Sequence, residues 1–189
     1  MQSSDQPGEA LEIATIGHST HSLDRFLELL ALHGVEALAD VRRFPGSRRM
    51  PHFSAESLAQ ELPRHGIRYL PMKALGGRRD AHPGSPNTGW RVAGFRGYAD
   101  YMETPEFAAG LAQLEAEADA QRTAVMCAEG LWWRCHRRLI ADALLVRGRQ
   151  VIHIGPDGRT SPHELTPFAV VEDGRLTYPA PQRALDLGA

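Results

Sequence analysis

Short apolar runs alternate with amphipathic helical patterns along most of this chain, and the alternation limits the folds it can adopt. The apolar runs are residues 11–16, 35–41, 67–70, 123–127 and 150–154. Between them, apolar residues recur at the spacing of a helix with one buried face, as in Leu23, Phe26, Leu27 and Leu30. Short runs that are mostly apolar, without a regular polar alternation, are typical of parallel strands. The pattern therefore predicts an α/β fold of three layers, a mainly parallel sheet with helices on both faces.

The length of 189 residues fits one domain with flanking segments. Residues 1–10 are polar and predict a loose N-terminal segment, and residues 11–155 predict a single α/β domain. Residues 156–189 predict a C-terminal extension that packs on the domain or trails from it. Within the extension, two β-rich runs flank Glu172-Asp173-Gly174, which is a possible β-hairpin.

Local signals place several helix ends and one long loop. Ser22 and Ser54 are predicted N-caps, and Gly34 is a predicted helix stop. Residues 98–120 predict two helices or one bent helix, and residues 134–147 predict another. Residues 71–95 are rich in glycine and proline, and we interpret this long loop as a lid over a site.

Overall charge excludes some classes of partner. The formal charge is -2 and the pI is near 6.5, so the whole molecule has no strong positive field to attract a nucleic-acid duplex or an anionic membrane. Two cysteines are too few for a disulfide scaffold, and the first 20 residues do not resemble a signal peptide. No apolar run reaches the length of a bilayer span. We therefore expect a reduced, cytoplasmic protein without a membrane partner.

Three polar segments follow predicted strands, at residues 17–20, 40–43 and 127–137. The carboxyl ends of parallel strands meet at one edge of a sheet, where ligands of α/β proteins bind. In the third segment, Cys127 ends a strand and a helix start follows, which would lower the pKa of a thiol. Cys127 is therefore a candidate nucleophile, with Glu129 or His18 as the proton carrier, although a merely buried cysteine and a structural histidine are open alternatives.

Arginine provides the candidate binding groups, because its planar guanidinium binds phosphate or carboxylate through paired hydrogen bonds. The predicted anion-binding residues are Arg42, Ser47, Arg48, Arg134 and Arg137. They predict a small anionic ligand as the partner.

Two alternatives use the same segments. Cys127 and Cys135, together with His136 or His18, could form a redox site or bind a transition metal, although seven residues between the cysteines is not a usual structural zinc spacing. Local arginines with Trp132 and Trp133 could instead form a non-enzymatic binding module for a nucleotide or single-stranded nucleic acid.

Five motifs give the chain a resemblance to a known family. They are TIGHST at 15–20, DVRRFPGSRRMPHF at 40–53, GIRYLP at 66–71, FRGYADYM at 95–102 and CAEGLWWRCHRRLIADAL at 127–144. The sequence resembles the bacterial and archaeal family called domain of unknown function 488, from about Ile13 to Ile154. The family's recurring Cys-x-Glu and Cys-His-Arg elements imply that Cys127, Glu129 and residues 135–137 belong to one site, but they imply no reaction.

The leading hypothesis is an enzyme that acts on a phosphate-bearing or nucleotide-like substrate. A cysteine nucleophile beside arginines favours a hydrolase or a transferase. The cofactor is left open, with a transition metal as one possibility.

Overall fold

The structure, a computed structural model, describes residues 12–46 and 49–180. Its strands are β1 (Ile13–Gly17), β2 (Ala37–Asp40), β3 (Arg68–Pro71), β4 (Thr123–Cys127), β5 (Val151–Ile154), β6 (Thr160–Pro162), β7 (Val170–Glu172) and β8 (Arg175–Thr177). Its α-helices are α1 (Leu23–Leu32), α2 (Ala55–Glu61), α3 (Ala93–Tyr101), α4 (Pro105–Ala120) and α5 (Arg137–Val146).

The main sheet has the strand order β3-β2-β4-β1-β5-β6. Strands β1 to β5 are parallel, and β6 runs antiparallel to β5 at one edge. Strands β7 and β8 form a separate antiparallel hairpin, where the sequence predicted one. The prediction of an α/β fold with a mainly parallel sheet and a C-terminal hairpin is confirmed.

Helices cover both faces of the sheet. Helices α1 and α2 contribute Phe26, Leu30 and Leu58 to a core on one face. On the other face, α3, α4 and α5 form a second core that includes Tyr98 and Leu139. Strands β1 and β4 supply apolar side chains to both cores, which explains why their sequences do not alternate between apolar and polar residues.

Both predicted N-cap residues cap helices in the structure. Ser22 accepts a hydrogen bond from the Arg25 N–H and caps α1, and Ser54 caps α2 by the same contact with Ser57. Residues 98–120 contain the end of α3 and the whole of α4, so two helices are present rather than one bent helix. The helix predicted to begin at residue 134 begins at Arg137, because a 3₁₀ turn at Trp132–Arg134 comes first and Cys135 has an extended backbone.

The C-terminal segment packs on the sheet and on α5. Strand β6 pairs with β5, and the side chain of Tyr178 is fully buried. The backbone N–H of Tyr178 donates to the side chain of Asn87, and its carbonyl accepts from the Gly89 N–H. The C-terminal segment is therefore joined to the long glycine-rich loop. Within the described ranges, no helix is long and apolar enough to cross a bilayer.

Candidate active site

The predicted polar segments meet at the carboxyl ends of β1, β2 and β4. Gly17 of β1 lies beside Cys127 of β4 in the sheet register, and Asp40 of β2 lies beside Met126. After β1 the chain enters α1 on one face, and after β4 it enters α5 on the opposite face. Adjacent strands whose connections diverge in this way create the crevice where α/β proteins bind ligands.

Close packing of two chain segments forms the base of this crevice. A Cβ atom on Gly17 would lie 1.9 Å from the carbonyl oxygen of Glu129. Only glycine lets the loop after β4 approach β1 this closely. The TIGHST segment thus contributes its glycine to the site.

A cavity of about 380 Å³ opens at the crevice. The predicted site residues that line it are Arg42, Cys127, Glu129, Arg134, Cys135 and His136. Arg43, which follows β2, and Arg78, from the glycine-rich loop, line it as well, together with Phe44, Val92 and Phe95. The cavity therefore combines four guanidinium groups with two thiols and an apolar surface.

The two thiols are in direct contact. The Sγ atoms of Cys127 and Cys135 lie 2.8 Å apart, and both cysteines are free. Cys127 is 2% exposed and Cys135 is 6% exposed, so both side chains are almost completely buried in the wall of the cavity. The contact arises because the extended backbone at Cys135 returns the chain to the end of β4 after the 3₁₀ turn.

The surroundings of Cys135 favour its thiolate. Burial by itself disfavours the charged form, but hydrogen bonds from Cys127 and His136, with the charge of Arg137, hold the pKa of the Cys135 thiol well below its ordinary value. The Arg137 backbone N–H, in the first turn of α5, points to Cys135 Sγ at 3.5 Å. At Cys127, burial and then the hydrogen bond with Cys135 raise the pKa of the thiol. Cys135 is therefore the more acidic thiol of the pair, and Cys127 is the less acidic one.

His136 is oriented to exchange a proton with Cys135. Its Nε2 lies 3.1 Å from the carbonyl oxygen of Val41, which can only accept, so Nε2 carries a hydrogen. Its Nδ1 consequently faces Cys135 Sγ, at 3.4 Å. The imidazole can take the Cys135 proton and remain beside the thiolate as an imidazolium.

Arg137 lies beneath the cavity rather than in its lining. Its side chain is fully buried, and its guanidinium donates to the carbonyls of Glu129 and Gly130 and, over 3.5 Å, to Thr15 Oγ1. Its Nε has no hydrogen-bond partner, and it makes no ion pair with a carboxylate in the described part of the chain. A buried cation without a carboxylate favours a negative group nearby, and the charge of Arg137 is one cause of the lowered pKa of the Cys135 thiol.

Arg42 is held by its own ion pair. Its guanidinium donates two hydrogen bonds to the carboxylate of Asp40, at 2.8 and 2.6 Å, and Tyr69 donates a third at 2.7 Å. His18 lies on the far side of Arg42, stacked on Phe53 at a centroid distance of 4.3 Å. Burial and then the charge of Arg42 lower the pKa of His18 to about 4. His18 is thus neutral near pH 7, and it is absent from the cavity lining.

The remaining predicted residues separate into two groups. Ser47 and Arg48 lie outside the described residues. His136 lies beside Cys135, but His18 does not join the cysteines, since it packs against Phe53. No group of three or more histidine, cysteine or acidic side chains suited to a metal ion occurs within residues 12–46 and 49–180.

A family model decides the relationship that the motifs suggested. The model described as domain of unknown function DUF488 matches residues 22–144, more than half of the chain. The protein belongs to the DUF488 family. No curated protein and no solved structure matches the chain. The DUF488 match contains both cysteines, His136 and Arg137, while β1, β5 and the C-terminal segment lie outside it.

A second polar cluster crosses the boundary of the DUF488 match, and the sequence did not predict it. Thr15, His153, His163 and Asp142 form a chain of buried hydrogen bonds, of 2.7, 2.9 and 2.9 Å in that order. Asp142 also accepts from Thr166 and Tyr178. The ring of Trp132 stacks on His153 at 3.9 Å. The one sequence signal is Asp142, which lies within the apolar face of α5.

Proposed function

We propose that this DUF488 protein is a dithiol oxidoreductase that reduces a small anionic disulfide. The contact between Cys127 and Cys135 inside an arginine-lined cavity carries the proposal. One activated thiol beside arginines would suit a hydrolase or a transferase as well. A second thiol in contact with the first favours redox chemistry, because it attacks a covalent intermediate before water does.

The reaction follows from the different states of the two thiols. The Cys135 thiolate attacks one sulfur of the substrate disulfide, and the other substrate sulfur leaves as a thiolate. Cys127 then loses its proton to solvent through the cavity and attacks Cys135 Sγ, which releases the second substrate thiolate. The substrate gains two electrons, and the protein is left with a Cys127–Cys135 disulfide, which an external thiol reductant must reduce.

The anionic substrate is inferred from the cavity lining. Arg43, Arg78 and Arg134 are exposed residues of the lining, and exposed guanidinium groups can bind a carboxylate or phosphate of the ligand. Phe44 and Val92 are 64% and 60% exposed beside them, so an apolar part of the substrate has a surface to contact. An aryl disulfide that carries carboxylates combines both features.

Two disulfide probes of different charge test the proposal. With the dianionic dithiobis-nitrobenzoate, the wild type should release two aryl thiolates per chain and lose two hydrogens by mass. Cys127→Ser should release one and retain a mixed disulfide on Cys135, because the second attack is removed. Cys135→Ser should react slowly. The neutral dithiodipyridine should react less readily than the dianion with the wild type.

The charge preference has a matched control. Arg134→Ala should reduce the preference for the dianionic probe, whereas Arg91→Ala removes an exposed arginine outside the cavity lining and should leave it unchanged. Equal reactivity of the wild type with both probes, or an unaltered rate in Cys135→Ser, contradicts the proposal. Protection of both thiols that a chelator reverses would favour a metal site instead.

A further inference from the structure

We infer that the buried chain Thr15–His153–His163–Asp142 is a positioning relay, which orients Arg137 toward the thiol pair and makes the C-terminal segment part of the site. The inference rests on the proposed function, because it takes Cys135 as the attacking thiolate. The relay residues contact neither thiol, so they act through Arg137.

The two ends of the relay fix the direction of its hydrogen bonds. The Arg137 guanidinium can only donate, so it donates to Thr15 Oγ1, and the Asp142 carboxylate can only accept. Thr15 then donates to His153 Nδ1, and His153 Nε2 donates to His163 Nδ1. His163 Nε2 donates to Asp142. Every relay hydrogen then has an acceptor; in the opposite direction the Thr15 hydroxyl hydrogen would have none.

The relay connects a buried cation with a buried anion through one hydroxyl group and two imidazole rings. Burial is the largest cause that lowers the pKa of His153 to about 3, and electrostatic interactions with His163 and Arg137 lower it further, so the His153 ring is neutral under ordinary conditions. The other groups packed around it are Thr15 and the ring of Trp132. Hydrogen bonds in such a series polarise one another. Asp142 thereby stabilises the charge of Arg137 without an ion pair. The guanidinium remains free to donate hydrogen bonds to the carbonyls of Glu129 and Gly130, in the loop that follows Cys127.

The alternative is that the cluster only stabilises the fold. Tyr178 supplies the comparison, because its hydroxyl donates to Asp142 at 2.8 Å but lies off the path to Arg137. Thr15→Val breaks the path at its first link and keeps the shape of the side chain. Tyr178→Phe removes one buried hydroxyl of the same cluster and leaves the path intact.

The experiment measures the thiolate of Cys135 in the Cys127→Ser background, by its ultraviolet absorbance and by alkylation across pH. Thr15→Val should raise the midpoint of the titration and slow alkylation near neutral pH roughly threefold to tenfold, which corresponds to the net contribution of one ordinary hydrogen bond. Tyr178→Phe should lower the thermal stability and leave the midpoint unchanged. Nitrogen NMR of the wild type should show a neutral His153, and it should place a hydrogen on Nε2 of both His153 and His163.

The inference is overturned if Thr15→Val and Tyr178→Phe lower the stability alike and neither shifts the midpoint. A protonated His153, or a hydrogen on Nδ1 of either ring, overturns it too. If the midpoint shifts as expected but neither disulfide probe is reduced, the relay stands and the oxidoreductase function fails.

Discussion

At the scale of single residues, Gly77 determines where His136 can sit. A Cβ atom on Gly77 would lie 2.9 Å from His136 Nδ1, the atom that faces Cys135. Gly77→Ala should therefore displace the imidazole, raise the pKa of the Cys135 thiol and slow its alkylation near neutral pH. Alkylation of the Cys127→Ser protein with and without the added methyl group measures the effect.

Gly94 provides the control for that substitution. It lines the same cavity, but nothing lies within 4 Å of a Cβ atom built on it. Gly94→Ala should leave the reactivity of Cys135 unchanged, and it replaces glycine in the first turn of α3 with a better helix former. If Gly77→Ala and Gly94→Ala behave alike, the position of His136 does not control the thiol.

The sequence predicts which residues line the cavity better than it predicts their protonation states. Cys127, Cys135 and His136 follow a strand end and precede a helix, so topology alone brings them to the ligand-binding edge. Which thiol is ionised depends on Arg137 and on the Val41 carbonyl, which are three-dimensional neighbours. The partners of the relay, such as Thr15 and His153, are separated by 138 positions and share no local pattern.

At the scale of elements, the glycine-rich segment before α3 is anchored to that helix. Asp100 of α3 accepts hydrogen bonds from the His82 N–H, the Ser85 hydroxyl and the Asn87 side chain. Burial of this carboxyl opposes its ionisation, but the three hydrogen bonds prevail and lower its pKa below the usual 3.8. A segment held in this way can act as the proposed lid only if these bonds open.

Asp100→Asn should release the anchored segment. The substituted amide presents hydrogens to groups that are themselves donors, so we expect faster hydrogen exchange at residues 82–87 and little change in β1 and β4. Asp119→Asn, an exposed carboxyl of α4, is the control. Because the folded pKa of Asp100 is lowered, its contribution is complete above pH 3.8 and is lost only in more acidic solution. Unchanged exchange in the variant would mean that the segment is held by other contacts.

Element prediction succeeded where burial imposed a pattern. Strands β1 and β4 are buried on both faces, so their sequences are apolar except for Thr15 and Thr123. Strand β6 was not predicted, because all three of its residues are exposed and its pairing with β5 leaves no apolar signature. The start of α5 was predicted three residues early, since the 3₁₀ turn before it has no apolar periodicity to distinguish it.

At the scale of the whole molecule, two buried neutral histidines make the fold sensitive to acid. The pKa of His18 is lowered to about 4 and that of His153 to about 3, from the usual 6.5. The unfolded chain therefore binds more protons than the folded one below pH 6.5. The free energy of unfolding should be highest above pH 6.5 and fall progressively toward pH 4, as measured by urea denaturation.

Substitution of a single histidine separates this effect from general acid sensitivity. His18→Asn should make the decline between pH 6.5 and pH 4 shallower, even though the loss of stacking on Phe53 lowers stability at every pH. His65→Asn removes an exposed histidine and should leave the slope as in the wild type. A stability that is constant across this pH range would contradict the assignment of neutral buried rings.

The prolines at the ends of the two outer strands also affect how copies of the molecule meet one another. Pro71 ends β3 at one edge of the sheet and Pro162 ends β6 at the other, and neither has an N–H to donate to an additional strand. Arg68 adds an exposed charge to β3. Both edges of the sheet therefore resist the addition of another strand. Folded copies should not pair edge to edge even at high concentration, and such pairing would first require local unfolding.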